Sequence, residues 1–351
     1  MPDRAAWEAR LNDVWYSARG GRWLQPLATV FAAASGLRRL AFRLGLLRSL
    51  RAAVSVVVIG NITVGGSGKT PLAIYLARRL RALGLTPGIA TRGYGRSDSA
   101  VMLVDAASTV AQVGDEALLL FRRSGAAVCV GARRVEAAAK LVAAGCNVIL
   151  CDDGLQHLPL QRDLEIAVVD GTRGLGNGRL LPAGPLREPA GRLDSVDLVV
   201  VNVGAQAAAG VWSRPGALSM RLRGGQAISL LDEATARPLA GFAGTQVHAV
   251  AAIGHPERYF ASLRAAGLSL IEHPFPDHHR FAASDFAFGD ARPVLMTEKD
   301  AVKCAGLGDQ RLWYVPVEAT FEPADERRLL ARITALPGIA ALPGIGELQL
   351  D

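Results

Sequence analysis

The chain reads as an α/β protein, with a doubly wound, mostly parallel sheet followed by a second, smaller α/β unit and preceded by a helical arm. Three observations predict this. Short β-branched runs alternate with helical stretches along most of the 351 residues. The first such strand, Val54 to Ile59, runs into a glycine-rich loop and then into a helix. A later apolar run, starting at Asn147, ends in two acids, Asp152 and Asp153. In a sheet of this kind ligands gather at the carboxyl ends of the strands.

The glycine-rich loop is Gly60-Asn-Ile-Thr-Val-Gly-Gly-Ser-Gly-Lys-Thr-Pro71. Leu72, Leu76, Leu80 and Leu83 recur after it at helical spacing, and Gly84 can end that helix. Strand, glycine-rich loop and helix in this order are the context of a P-loop NTPase-like domain. From Thr63 and Val64 through Gly65, Gly66, Ser67 and Gly68, backbone N–H groups can turn inward around a phosphate, helped by the helix N-terminus. Lys69 would neutralise the β- and γ-phosphates of a nucleotide such as ATP, and the Thr70 hydroxyl would ligate Mg²⁺. Pro71 fits the first helical turn. Thr63 stands where the usual pattern has glycine, so the loop could enter differently. Lysine usage sharpens the reading. Of 39 basic residues only Lys69, Lys140, Lys299 and Lys303 are lysines, so a chain that writes nearly every cation as arginine keeps a compact charge in this loop.

Half of the residues are apolar and there is no low-complexity tract, so intrinsic disorder is not expected outside the ends. Cys129, Cys146, Cys151 and Cys304 lack CxxC spacing and read as reduced structural thiols, neither a disulfide framework nor a zinc site. The net charge of +7 is concentrated at one end: residues 1–51 hold nine arginines against three acids, with three of the five tryptophans. No basic stripe with interleaved aromatics follows, which argues against nucleic acid as a partner.

Trp7 to Arg19 reads as one helix and Pro26 to Leu50 as another. The longest uncharged stretch, Trp23 to Leu37, is too short to span a bilayer, and no signal-peptide order is present. A basic, aromatic, amphipathic arm that cannot span is expected to lie on an anionic membrane surface, the alternative being an arm packed on the protein's own core.

Past the P-loop helix, Pro87 to Thr91 is a strand running into Arg92-Gly-Tyr-Gly-Arg96, a donor-rich loop where ligand contact and a plain turn are equally open. Val101 to Val104 is a strand. Gly114-Asp115-Glu116 opens a helix, in which Asp115 on spacing alone is a first-turn acid favoured by the helix dipole. Ala127 to Gly131 is a strand and Arg133 to Ala144 a helix. Asp152 and Asp153 then close a Walker-B-like strand, where a carboxylate can hold Mg²⁺ or its water shell. Leu164 to Asp170 and Val196 to Asn202 are further buried strands. Between them the long loop Gly174 to Arg192 has little periodicity, which marks it as functional, with Arg187 a candidate phosphate clamp.

Ala217 to Arg223 and Ala227 to Leu231 read as a β-hairpin around Gly224-Gly225. The expected division is therefore an arm over 1–50, a P-loop domain over 51–212, a hairpin hinge over 213–245 and a smaller domain over 246–351. In that last part Val247 to Gly254, Leu268 to Ile271, Pro293 to Thr297 and Leu312 to Val317 are strands, with helices from Pro256 to Ala266 and Ala324 to Leu336. Asp277-His278-His279 offers acid–base chemistry sooner than a metal site, because adjacent histidines on an extended segment face opposite ways. A solvated loop histidine is equally open there.

In order, the chain carries Gly60 to Pro71, Arg92-Gly-Tyr-Gly95, Val113-Gly-Asp-Glu116, Asp152-Asp-Gly-Leu-Gln-His157, Leu181-Pro-Ala-Gly-Pro-Leu-Arg-Glu188, Ala252-Ile-Gly254, Pro276-Asp-His278 and Thr297-Glu-Lys-Asp300. This set, from about residue 7 to about residue 320, resembles the tetraacyldisaccharide 4'-kinase family of lipid A biosynthesis, which shares the Thr63 departure. The resemblance implies a monotopic or peripheral enzyme on the cytoplasmic face of the bacterial inner membrane. It would move the γ-phosphoryl of ATP to the 4'-hydroxyl of an acylated disaccharide 1-phosphate lipid. By motif, Asp115 and His278 would act on the attacking hydroxyl beside Lys69. Thr70 and Asp152 would serve Mg²⁺ with Asp153 close by, and Arg92, Tyr94, Arg187 and Glu188 would contact the lipid sugar. A monomer is the expected state. The rival readings are a P-loop GTPase or metallochaperone-type switch, for which Thr297-Glu-Lys-Asp300 superficially supplies a guanine-reading segment, and a non-enzymatic lipid-surface adaptor, which leaves Lys69, Thr70 and Asp152 without purpose.

Overall fold

The computed structural model describes residues 13–17, 20–96, 98–204 and 211–342. Of the helix expected from Trp7 to Arg19, residues 7–12 and 18–19 lie outside the described residues, and 13–16 are helical. Helix α1 (Gln25–Arg43) has Pro26 in its first turn. It stops well before Leu50, because Gly45 takes a left-handed φ of 73° and Leu50 then bridges to Leu160.

From there the chain alternates: β1 (Ser55–Gly60), α2 (Lys69–Ala82), β2 (Pro87–Thr91), β3 (Met102–Leu103), α3 (Asp115–Ser124), β4 (Ala127–Val130), α4 (Arg134–Ala143), β5 (Val148–Asp152), β6 (Leu164–Asp170), β7 (Leu198–Asn202) and β8 (Leu218–Arg223). The second unit contributes β9 (Gln226–Ser229), β10 (Ala236–Pro238), β11 (Gln246–Ala251), α5 (Pro256–Ala265), β12 (Ser269–Pro274), β13 (Val294–Thr297), α6 (Glu298–Ala301) and β14 (Leu312–Val315). β15 (Glu318–Phe321) and α7 (Pro323–Thr334) follow.

The first sheet has the order β15-β8-β7-β6-β1-β5-β2-β4-β3, parallel from β8 to β4 with an antiparallel strand at each edge. Its central strands are buried on both faces, as a parallel sheet requires. Leu72, Leu76 and Leu80 of α2 cover one face, each burial stabilising by about 2 kcal/mol, and Ala137, Ala138 and Leu141 of α4 lie in the core on the other. Register sets the site: Ile59 stands opposite Asp152 and Gly60 opposite Ala167, so the acids of β5 emerge beside the mouth of the P-loop.

The second sheet has the order β10-β9-β14-β13-β11-β12 and packs Tyr259, Phe260 and Leu263 of α5 into its own core. The strands flanking Gly224-Gly225 do not form the expected hairpin. β8 joins the first sheet beside β7, and β9 joins the second beside β14. The chain also returns. Pro316-Val317 carries it back, so that Glu318 pairs with Arg223 on one sheet and Trp313 with Ser229 on the other. One antiparallel two-stranded ribbon thus crosses between the sheets. Leu329, Leu330 and Ile333 of α7 then bury in the same core as Leu72. The second unit therefore spans 226–315, not 246–351, and the closing helix belongs to the first.

Asp300 anchors the second unit from inside. Fully buried, it accepts the Ala252 N–H at 2.9 Å and the Thr297 hydroxyl at 2.6 Å, and it pairs with Lys303 at 2.7 Å. Asp300→Ala would strand a buried ammonium and an orphaned amide. The expected loss is about 3–5 kcal/mol in urea unfolding; a loss under about 1 kcal/mol would contradict this anchoring.

Candidate active site

β1 delivers the chain to the loop at Gly60, where a Cβ would meet Leu155 Cγ at 2.6 Å. Left-handed Gly65 (φ 104°) and Gly68 (φ 100°) turn the backbone before Lys69 opens α2. Neighbours hold the loop in shape. Val64 N–H donates to Pro185 O at 2.8 Å and Arg187 N–H to Ile62 O at 2.7 Å, so the segment 181–188 runs antiparallel beside it. Asn202, at the end of β7, donates Nδ2 to Ser67 O at 3.0 Å. A shallow pocket lies over this cradle, lined by Thr63, Val64, Gly65, Gly66 and Ser67, with Tyr16, Asp170 and Arg173 on its wall. The Arg173 guanidinium stacks on the Tyr16 ring at 3.7 Å, which brings the arm to the edge of the loop.

The two acids after β5 part company. Asp152 is buried, its Oδ2 accepts from the Thr70 hydroxyl at 3.5 Å, and its Oδ1 has no protein partner. Burial above all, and then the charge of Glu116, pushes its carboxyl up to about 7. Asp153 turns away with φ 51° and meets Lys69 at 3.5 Å and Arg187 at 3.2 Å. Burial works against its charge, but Lys69 and then Arg187 hold it down at about 2. Arg134 braces the turn by donating to the carbonyls of Asp152 and Asp153 at 3.3 and 3.4 Å. Glu188 is not presented to a ligand. It is buried against Gln156 (2.7 Å), Arg192 (3.3 Å) and Arg39 of α1 (3.6 Å), so it ties the arm to the loop.

Across from the cradle, Asp115 at the start of α3 is buried and its Oδ2 lies 2.9 Å from His278 Nδ1. Burial pushes the Asp115 carboxyl up, but the hydrogen bond with His278 and the charge of Lys299 carry it below the usual range. His278 sits in the left-handed region at φ 62°, with Tyr94 beside its ring at 4.8 Å. His279 faces elsewhere. It pairs with Asp285 at 3.0 Å and packs on Phe275 and Phe281, so of the two histidines His278 is the one that meets Asp115. Arg92 and Tyr94 are exposed on the loop after β2. The Ala252–Gly254 turn approaches the cradle: a Cβ on Gly254 would lie 3.8 Å from Gly66 N, an ordinary contact.

Sequence reasoning missed Arg134, Asn202, Arg258 and Lys299. Arg258 of α5 reaches the first unit at Asp170 and Asn202, both at 2.7 Å. Lys299 reaches Glu116 at 3.1 Å, and its signal was available in the rarity of lysine. The segment Thr297–Asp300 is consumed by the cap, by Lys299 and by the buried Asp300, which leaves no carboxylate there to read a guanine.

Chemically, the site combines a phosphate cradle, a neutralising ammonium, a carboxylate with a free oxygen facing a hydroxyl, and a carboxylate–imidazole pair. Among the described residues no three His, Cys, Asp or Glu side chains group to hold a metal. A cation here would complete its shell with phosphate oxygens and water, as Mg²⁺ does. The raised Asp152 carboxyl binds a proton more tightly folded than unfolded. Its contribution is full below about pH 4 and is lost as pH rises through about 7. Without nucleotide or divalent cation, Asp152→Asn should melt near the wild-type temperature at pH 4–5 and several degrees above it at pH 8. Parallel melting curves across that range would refute the assignment.

Residues 21–334 match the model of the LpxK family, tetraacyldisaccharide-1-P 4'-kinase. A tetraacyldisaccharide 4'-kinase of Alkalilimnicola ehrlichii is 52% identical over 324 residues, covering 89% of this chain and 92% of its own. One from Xanthomonas euvesicatoria is 50% identical over 316 residues, with 88% and 91% covered. Among solved structures, LpxK from Aquifex aeolicus in complex with ATP superposes with a TM-score of 0.74 at 26% identity, over 89% of this chain and 99% of that one. The chain belongs to the tetraacyldisaccharide-1-P 4'-kinase family, the kinases of lipid A biosynthesis.

Proposed function

We propose that the kinase reaction runs between the P-loop and the Asp115–His278 pair, with ATP in the cradle and the 4'-hydroxyl of a tetraacyldisaccharide 1-phosphate facing the imidazole. The observation that carries this reading is the 2.9 Å contact between a carboxylate of one unit and an imidazole of the other, across the mouth of the cradle. Asp115 accepts from His278 Nδ1–H and so fixes the ring with Nε2 available to take the hydroxyl proton. The N-terminus of α2 and Lys69 neutralise the triphosphate and hold its terminal group in line with the acceptor. Thr70 and Asp152 would hold Mg²⁺, which would supply neutralising charge for the phosphates; the partnerless Oδ1 of Asp152 fits that role. Asp153 is left to orient Lys69 and Arg187. Arg92, Tyr94 and Arg187 are placed to meet the sugar. The ribbon at Gly224-Gly225 and Pro316-Val317 is the hinge about which the units part to admit both substrates.

The arm serves the lipid. Leu24 and Ala28 pack on Ala183 of the loop beside the cradle, while Trp23, Leu27, Val30 and Leu37 are exposed on the same segment. No described helix is long and apolar enough to cross a membrane. An exposed apolar face with the exposed Arg38 and Arg43 alongside suits the anionic cytoplasmic leaflet.

The test is transfer of labelled phosphate from ATP to the disaccharide 1-phosphate lipid. Asp115→Ala and His278→Ala should each lower turnover by about 10²–10⁴-fold. His279→Ala should cost stability more than turnover, and equal losses at the two histidines would sink the assignment. Independently, Leu27→Glu combined with Val30→Glu should reduce sedimentation with anionic liposomes and leave binding of a nucleotide analogue unchanged. Undiminished sedimentation would remove α1 from the membrane contact.

A further inference from the structure

Lys299 stands at the N-terminal turn of α6, on the second unit, and its side chain is largely buried at the seam between the units. Its ammonium has three carboxylates around it: Glu116 Oε1 at 3.1 Å, Asp277 Oδ1 at 3.5 Å and Asp115 Oδ2 at 3.9 Å. Two of them belong to α3 of the first unit, and the third precedes His278. The same carboxylates flank the imidazole, whose Nδ1 is on Asp115 and whose Nε2 is 3.8 Å from Asp277 Oδ1. The other groups facing the pair are the ring of Tyr94 and, at longer range, the ammonium of Lys303. Without Lys299, three acids would crowd one imidazole.

We infer that Lys299 is the positioning residue of this kinase: across the closed seam it holds Asp115 and Asp277 about His278 and offsets the negative charge that they place around the imidazole. This rests on the roles proposed above for Asp115 and His278. Residue type supports it. A flat guanidinium matches one carboxylate in two parallel bonds, whereas a compact ammonium with three rotatable donors can face three carboxylates arriving from different elements. In a chain with only four lysines among 39 basic residues, one stands here. The neighbouring Glu298 also crosses the seam, to Arg123, so Lys299 is not needed merely to bring the units into contact.

The sign of the effect follows from charge. A cation beside the imidazole opposes its protonation, so removing the cation favours the imidazolium. Lys299→Met should move the acid limb of the kcat/KM profile to higher pH by about one unit or more. Lys299→Arg should return it toward the wild-type position. Arg123→Gln, which loosens the same seam without touching the pair, should lower turnover and leave the limb in place. NMR titration of the His278 ring, assigned with His278→Ala, should show the same upward shift in Lys299→Met. If the wild type transferred no phosphate to the lipid, the kinase mechanism would fail, and the ring titration would still decide the role of Lys299. Lower activity at every pH with an unmoved limb and an unmoved His278 titration would reduce Lys299 to an ordinary seam contact and overturn the proposal.

Discussion

The contact between Asp115 and His278 constrains everything else. Its two halves are carried by different sheets, one at the start of a helix over the first sheet and the other in a loop after the edge strand of the second. A pair split this way exists only when two separately cored units are held in one relation. The ribbon supplies that relation with two connections in place of one, which restricts the motion between units to bending where Gly224 and Pro316 lie side by side. The local backbone bears a cost as well. His278 and Asp153 are non-glycine residues with left-handed φ, each at about 1–3 kcal/mol, and both stand at the site. Asp300 helps offset this by fixing the Ala252 turn that faces the cradle.

A second constraint is charge. A site for a polyphosphate and a phosphorylated lipid has to tolerate Asp115, Glu116, Asp152, Asp153 and Asp277 close together. The structure gives most of them a cation from a different segment: Lys69 and Arg187 for Asp153, Lys299 for Asp115, Glu116 and Asp277. Among these five acids Asp152 alone keeps a buried oxygen without a partner, and burial, then the charge of Glu116, raises its carboxyl. The distribution is chemically informative. The carboxylates that meet cations are neutralised by the protein, and on the reading proposed above the remaining one is left for a metal.

Much of the first unit is legible in the residues, because buried parallel strands are continuous apolar runs and the P-loop has its own glycine spacing. Val54–Ile59, Pro87–Thr91 and Leu164–Asp170 could be read almost to the residue. The pairing partner of a strand is less legible. Gly224-Gly225 has the composition of a tight turn, and nothing local says that its two flanks pair with β7 and β14 instead of each other. The return of β15 and α7 to the first sheet is likewise a long-range event. At the site, charges inside motifs were visible while their geometry was not: Asp115 passes for a helix-start acid until His278 arrives from more than 160 residues away. Glu188 passes for a ligand contact until Arg39, Arg192 and Gln156 enclose it.

The loop between β6 and β7 links the N-terminal arm to the P-loop, and the direction of that link matters. Trp15 Nε1 donates to Pro182 O at 2.9 Å, Asn177 N–H to Trp15 O at 2.8 Å, and Arg39 pairs with Glu188. A few residues along the same loop, Arg187 holds Asp153 and the backbone holds Ile62 and Val64. The arm and the cradle are therefore parts of one packed body, and the ribbon-linked second unit carries His278. An acylated sugar held at a bilayer surface is anchored at a fixed depth. A kinase acting on it needs its phosphate donor at a matching depth, and fusing the cradle to the arm achieves this without any further adjustment. On the reading proposed above, the imidazole would approach last, over a donor and an acceptor already in place, which would limit wasteful transfer to water.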